Sequence, residues 1–313
     1  VCVDTQYVFD RLRFDGTESQ YLSRTPSSAS NRRTFTWSGW IKRSKLDASN
    51  NAHVFFDSRD AVSQTIECTF GFLTNNNFYL DTTSGGRIRT NALFRDVSAW
   101  QHWVIAFDTT QATSSNRVKI YVNGTQITSF AQENYPSQNY ETSINATHPH
   151  SIGRYLSGGH FDGYMSEINF IDGSALDPSH FGYTEPQTGI WRPKKYEGTY
   201  GTNGFHLDFS DNSSTTAATL GKDTSGNGNN FTPSNFGASL VDDVLDTPTD
   251  NFVTLNPLER FTHNCVLSSG NLKATGPNQS YPGTAANIEL TSGKWYYEFV
   301  INTKTSNPMC GVC

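Results

Sequence analysis

No apolar run of the 313-residue chain approaches the roughly 18 residues of a helical membrane span. Charge is scarce at 17 %, and 23 basic residues against 29 acidic ones leave a net charge of −6. No Lys/Arg stripe forms, and the one short basic pair near aromatics, Lys194-Lys195, reads as solvated surface. Nucleic-acid binding, which needs phosphate contacts, is therefore not expected. Helical windows are nearly missing; the best, Ser174 to Phe181, amounts to a turn. The start carries no secretion signal and opens on Val1 rather than Met, which reads as a processed or partly represented chain. Cysteine is sparse and odd in number: Cys2, Cys68, Cys265, Cys310 and Cys313. So few, so scattered, they do not form a disulfide framework. Cys310-Gly-Val-Cys313 matches CxxC, but zinc wants a second Cys or His pair and a redox motif wants a following helix. The pair reads as two small hydrophobes in a strand.

What is present is strand signal. Aromatics reach 13 %, and Gly, Ser, Thr and Asn are abundant. Thr34 to Ile41 alternates, with Phe35, Trp37 and Ile41 on one face and Thr36, Ser38 and Trp40 on the other. Trp103 to Phe107 is apolar on both faces and reads as a central strand. Arg117 to Val122, then Asn123-Gly124, then Gln126 to Thr128 is a hairpin with a type I′ turn. Gly163 to Ile171, Phe205 to Phe209 and Trp295 to Ile301 are further strands. Many short strands without βαβ spacing predict an all-β, antiparallel sandwich. Residues 1–190 form a first unit and 191–245 a Gly/Asn/Ser-rich extension with one strand that could complete it. Residues 246–313 open a second β unit, too short to stand alone, so the native protein is expected to continue.

Asp223-Thr-Ser-Gly-Asn-Gly spells the opening of an EF-hand loop. The bidentate Glu required at the twelfth position is Ser234, so the stretch reads as a turn rather than a calcium site. Its Asn227-Gly228 pair suits a tight turn with positive φ.

Four pieces in order, F35-T-W-S-G-W-I-K-R43, W100-Q-H-W-V-I-A-F-D108, V118-K-I-Y-V-N-G124 and F161-D-G-Y-M-S-E-I-N-F-I-D172, resemble the laminin-G-like, concanavalin A-like jelly roll. The turn at Asp223 resembles one that precedes a strand in such domains. S292-G-K-W-Y-Y-E-F299, with L267-S-S-G-N-L-K273 before it, resembles the start of a SPRY domain. The combination, with Gly201 to Phe209 between, resembles structural proteins of marine tailed phages, which implies a virion surface location. In that setting the sequons at Asn123, Asn145, Asn212, Asn230 and Asn278 are accidents of composition rather than glycan acceptors.

The same jelly roll hosts glycoside hydrolases and lyases, but their signatures are missing. No E-x-D-x-x-E spacing occurs; the nearest, Glu167 to Asp172, has Asn at the centre and puts the two acids on opposite faces. No G-x-S-x-G elbow occurs, His102 reads as structural, and His148, His150 and His160, read as loop residues, lack metal-ligand spacing. The expectation is a non-enzymatic virion appendage protein that assembles with other virion subunits as a homo-oligomer and whose jelly roll binds surface glycans. Trp40, Tyr155 and His160 are the candidate sugar-binding residues, the last two in a loop that Gly158-Gly159 would make flexible. Trp40 also reads as a residue packed between sheets. The resemblance further implies a calcium ion at the sandwich rim, for which Asp57, Asp81 and Asp108 are oxygen donors by their strand-end positions. Two alternatives stay open: a purely structural spacer, and an extracellular adhesion protein of a cellular organism.

Overall fold

The computed structural model describes residues 10–46, 52–60, 67–82, 86–155, 158–237, 246–259, 265–276 and 282–303. Two antiparallel sheets pack face to face. The first runs β1 (Leu12–Phe14), β13 (Gly163–Asp172), β3 (Thr34–Arg43), β8 (Gln101–Asp108), β9 (Val118–Val122) and β10 (Thr125–Gln126). A seventh strand, β16 (Phe205–Leu207), also pairs with β13. The second sheet runs β11 (Phe130–Asn134), β7 (Arg87–Leu93), β6 (Asn77–Thr82), β5 (Glu67–Leu73), β4 (Ala52–Arg59), β12 (His150–Ile152), β2 (Tyr21–Arg24) and β17 (Thr232–Ser234). The fold is thus the expected antiparallel jelly-roll sandwich. Among the described residues the helical elements are two single 3-10 turns, Ser114–Asn116 and Pro178–His180, and no helix could cross a membrane.

The period-2 pattern decides which side chains meet. Phe35, Trp37 and Ile41 of β3 face Phe55, Phe70 and Phe72 of the other sheet, and all are buried. Trp103 of β8 stacks on Phe78 at 4.8 Å and meets Phe72 edge-on at 5.4 Å. Each such ring contributes roughly 1.5–3 kcal/mol by leaving water, so this aromatic layer is the main source of stability. The hairpin forms as read: Asn123 and Gly124 take φ of 47° and 79° between β9 and β10.

The chain after residue 173 wraps back over the sandwich. β14 (Gly182–Thr184) and β15 (Trp191–Pro193) form a small hairpin over the outer face of the first sheet, where Trp191 packs on Trp40, Trp100 and Tyr164. β16 and β17 extend the two sheets of the first unit. Past Asp246 the chain crosses the same outer face and ends in a two-stranded hairpin, β18 (Val266–Ser268) and β19 (Lys273–Thr275). The strand expected over Trp295 to Ile301 is not formed. Those residues pair with no strand, and Trp295, Tyr297, Phe299 and Ile301 are more than half exposed. Alternation predicts a strand only where a neighbour supplies the ladder, and the described residues supply none here. Cys2, Cys310 and Cys313 lie outside the described residues.

Candidate functional site

The outer face of the eight-stranded sheet carries a row of polar and aromatic side chains that its core-facing pattern does not require. The core side of β4 to β7 is Phe56, Phe70, Leu80 and Ile88. Neighbouring positions, one residue on, therefore point outward. Pairing aligns them in two rows: Ser151, Asp57, Thr69, Asp81 and Arg87 in one, Val54, Gly71, Tyr79 and Arg89 in the other. Gly71 is required there, because a Cβ would stand 2.1 Å from the His53 carbonyl oxygen.

The two described aspartates of this face are each paired with an arginine. Arg59 grips Asp57 with three hydrogen bonds of 2.8–3.2 Å, and Arg89 holds Asp81 through two of 2.7 and 2.8 Å. Three arginines lie over tyrosines: Arg59 over Tyr155 at 5.1 Å, Arg89 over Tyr79 at 5.3 Å and Arg154, at the rim, over Tyr21 at 3.2 Å. Burial, with the charges of Asp57 and Asp81 adding to it, pushes the Tyr79 hydroxyl well above the usual phenol range against the Thr69 hydrogen bond.

One loop closes the face. A bulge in β4 breaks the register after Val54, and the Val54 N–H donates instead to the Gly159 carbonyl at 3.0 Å. Tyr155 and Gly158 exchange both backbone hydrogen bonds, which pins the turn. Gly159 takes φ of 59° and presses against the Tyr155 ring, where a Cβ would come within 2.4 Å. Gly159 thus permits a close approach that Gly158, where a Cβ would stand 3.6 Å from the Tyr155 hydroxyl, does not require. The result is a floor of Val54, Tyr79 and Asp57 with a half-buried rim of Tyr21, Arg154 and Tyr155.

Of the residues expected to bind sugar, Tyr155 is in this rim and His160 stands half-buried at the loop's end. Trp40 is elsewhere. It is 3 % exposed on the outer face of the other sheet, stacked on His102 at 4.9 Å and covered by Trp100 and Trp191. A buried ring presents no face to a ligand, so Trp40 is corrected to a packing residue. The three aspartates do not make a calcium site. Asp57 and Asp81 share this face but are held by arginines, while Asp108 lies on β8 of the other sheet. Its carboxylate accepts from Thr34, Thr110 and Gln111, and although burial works against it these bonds hold it below the usual carboxylate range. Among the described residues no group of three or more His, Cys, Asp or Glu could hold a metal. Arg59, Arg89, Arg154, Tyr79 and Tyr21 were not foreseen. Their signal was present: Asp57-x-Arg59, Tyr79-x-Asp81 and Arg87-x-Arg89 put polar groups at every second position of strands that are otherwise apolar.

The remaining reactive groups are structurally committed. His102 accepts the Trp191 indole N–H on Nδ1 at 3.0 Å, so its proton sits on Nε2 and is given to Ser38 Oγ at 2.9 Å. That tautomer cannot take a proton from Ser38, and burial pushes the ring down to about 3. His150 is not in a loop but on β12, buried, accepting the Asn145 N–H on Nε2. Glu167 sits at a bulge of β13 with φ of 50° and pairs with His206 Nε2 at 3.0 Å. Asp172 accepts from Asn31, Asn145 and Asn203. At the turn 223–231, the Asp223 carboxylate accepts backbone N–H groups of His206, Ser225 and Asn229, and positive φ falls on Gly226 and Gly228 rather than on Asn227. A carboxylate saturated by backbone donors closes a turn without an ion.

The family described as the concanavalin A-like lectin/glucanases superfamily matches residues 15–180. No curated protein matches the chain. Among solved structures, a heptameric SAP-like pentraxin from Limulus polyphemus is 15 % identical, covering 55 % of this chain and 80 % of that one at a TM-score of 0.41. A protein described as carbohydrate-binding from Bacteroides ovatus is 15 % identical, covering 72 % of this chain and 58 % of its own, at 0.43. The CBM40 of a Ruminococcus gnavus IT-sialidase, bound to α2,3-sialyllactose, is 12 % identical over 47 % of this chain and 89 % of its own, at 0.30.

Proposed function

The chain belongs to the concanavalin A-like lectin/glucanases superfamily, and from that premise we propose that it is a non-catalytic carbohydrate-binding module whose site is the outer face of the eight-stranded sheet. One observation carries the reading: the half-buried rings of Tyr21 and Tyr155 stand with Arg154 on a sheet face that the core does not need, over the buried Tyr79, Asp57 and Arg59. Aromatic faces take the apolar side of a pyranose, and charged groups held by neighbours offer hydroxyl partners at little entropic cost. The acids on this face are each bonded to an arginine, and His102 is held in the tautomer that cannot act as a base toward Ser38, both of which favour binding over hydrolysis.

A glycan array probed with the purified chain tests this. Saturable binding that Tyr155→Ala weakens by about tenfold or more, with the unfolding midpoint unchanged, supports the site. Binding that survives Tyr155→Ala and Arg59→Ala alike would place it elsewhere.

The virion-appendage role and the SPRY-like nature of the last residues rest on the resemblance in the sequence, and a homo-oligomer is part of the same reading. The row of exposed apolar residues from Trp295 to Ile301 favours a second use of the chain, assembly with other subunits. Sedimentation across a range of concentrations separates the two: a monomer at all concentrations counts against assembly through this segment.

A further inference from the structure

On the reading that this face binds sugar, we infer that its ligand is an anionic saccharide, with a carboxylate or sulfate group received by Arg154. Three arginines lie over tyrosine rings on the face, but they are not equivalent. The guanidinium of Arg59 spends its donors on Asp57, and that of Arg89 on Asp81 and on the Leu80 and Ile88 carbonyls. Arg154 instead lies over Tyr21, its carbon 3.2 Å from the ring centroid, with its Nε buried and no carboxylate among the described residues bonded to it. Contact with the ring holds the guanidinium and leaves its two terminal nitrogens as the part that can meet a forked anion.

Position and charge agree with that role. Arg154 immediately precedes Tyr155 in the pinned turn, so the ring that would carry the sugar and the cation that would carry its charge are neighbours in the half-buried rim. By strand register the face carries Arg59, Arg87 and Arg89 with Asp57, Asp81 and Glu67, and Arg154 at its rim is the additional cation, on a chain of net charge −6. A purely neutral sugar would need hydroxyl partners but no surplus cation. Burial pushes the Arg154 guanidinium down, with Tyr21 and Asp57 opposing it; Asp57 is already gripped by Arg59, so it does not satisfy Arg154.

The test uses titration calorimetry on the intact chain with three oligosaccharides of equal length: neutral hexose, hexuronate and sulfated hexose. Wild type is expected to bind at least one anionic form about tenfold or more tighter than the neutral one, with the ratio shrinking as salt rises from about 0.05 to 0.5 M. Which anion is preferred identifies carboxylate or sulfate as the group. In Arg154→Gln the anionic-to-neutral ratio should fall to near one, while Arg154→Lys, which keeps the charge and loses the fork, should retain part of it. If Arg154→Gln unfolds, the wild-type ratio and its salt dependence decide alone. Equal affinity for neutral and anionic sugars overturns the inference and leaves the site reading standing. A ratio that persists in folded Arg154→Gln also overturns it. Binding to none of the three, with the chain folded, removes the inference together with the site.

Discussion

At the residue scale, proton affinity gives the sharpest prediction. Burial alone would push His206 down, but its hydrogen bond and charge interaction with Glu167, helped by Asp208 and Asp223, outweigh that and raise it above the ordinary imidazole value. Asp162 is pushed up to about 6 by burial and by the neighbouring Asp15, at the edge of a cavity of about 270 Å³ that Ser44, Lys45 and Cys265 also line. Both groups hold their proton more tightly folded than unfolded. Their contribution to stability is therefore present at low pH, below about 6.5 for His206 and about 3.9 for Asp162, and is lost as pH rises through the folded values. The unfolding midpoint should fall between pH 5 and 8, a window set by these two shifts. Asp162→Asn should flatten the Asp162 part and stabilise the chain near pH 7.5 by on the order of 1–2 kcal/mol. A midpoint that rises over this range, or an Asp162→Asn variant that tracks wild type, contradicts the assignment. Such pairs are not legible in sequence: Glu167 and His206 are far apart in the chain and meet only because β16 joins β13. The parity of Tyr79, Asp81, Arg87 and Arg89 was legible, since alternation alone assigns it. Trp40, by contrast, is covered by segments whose placement no local pattern reveals.

Strands with a local partner were readable, and those without one were not. β3, β8, the β9–β10 hairpin and β13 fall where alternation and Asn-Gly put them. Trp295 to Ile301 alternates as cleanly and forms nothing, because pairing is a property of two segments. The stretch beginning at Asp246, read as the opening of a second β unit, is anchored on the first. Lys42 of β3 and Asp246 are each 1 % exposed and bond at 2.7 Å; Trp100 donates to the same carboxylate, and Asn251 and Phe252 also accept from Lys42. Burial pushes the Lys42 amine down, with Asp246 opposing it. Removing one partner strands the other charge, so Lys42→Met should lose about 3–5 kcal/mol. Replacing both, with Asp246→Leu, should recover much of the loss. Urea denaturation of the two single variants and the double one measures this; additive losses would mean that the ion pair is not the unit holding the segment.

At the scale of the whole molecule, the anchor decides where the chain can be cut. Asp246, Asn251 and Phe252, and further on Gly270 and Asn271, lie against the first sheet: Asn271 donates to the Ser44 carbonyl at 2.6 Å and Tyr164 to that of Gly270 at 2.9 Å. A chain ending at residue 245 would leave Lys42 without its carboxylate and uncover Trp100 and Tyr164. That truncation should lower the unfolding midpoint by several degrees or more and raise binding of a hydrophobic dye, since each kcal/mol is worth about 2–4 °C in a domain of this size. A chain ending at residue 290 loses, among the described residues, only the exposed stretch 291–303, so its midpoint should match the full chain and any concentration-dependent association should weaken. If the shorter truncation is as stable as the longer one, the covering segment is dispensable and the sandwich is complete by residue 237. If it is not, sugar-binding assays belong on chains that keep residues up to at least 276, because a destabilised sandwich would lose Tyr155 and Arg154 from their pinned turn for reasons unrelated to the ligand.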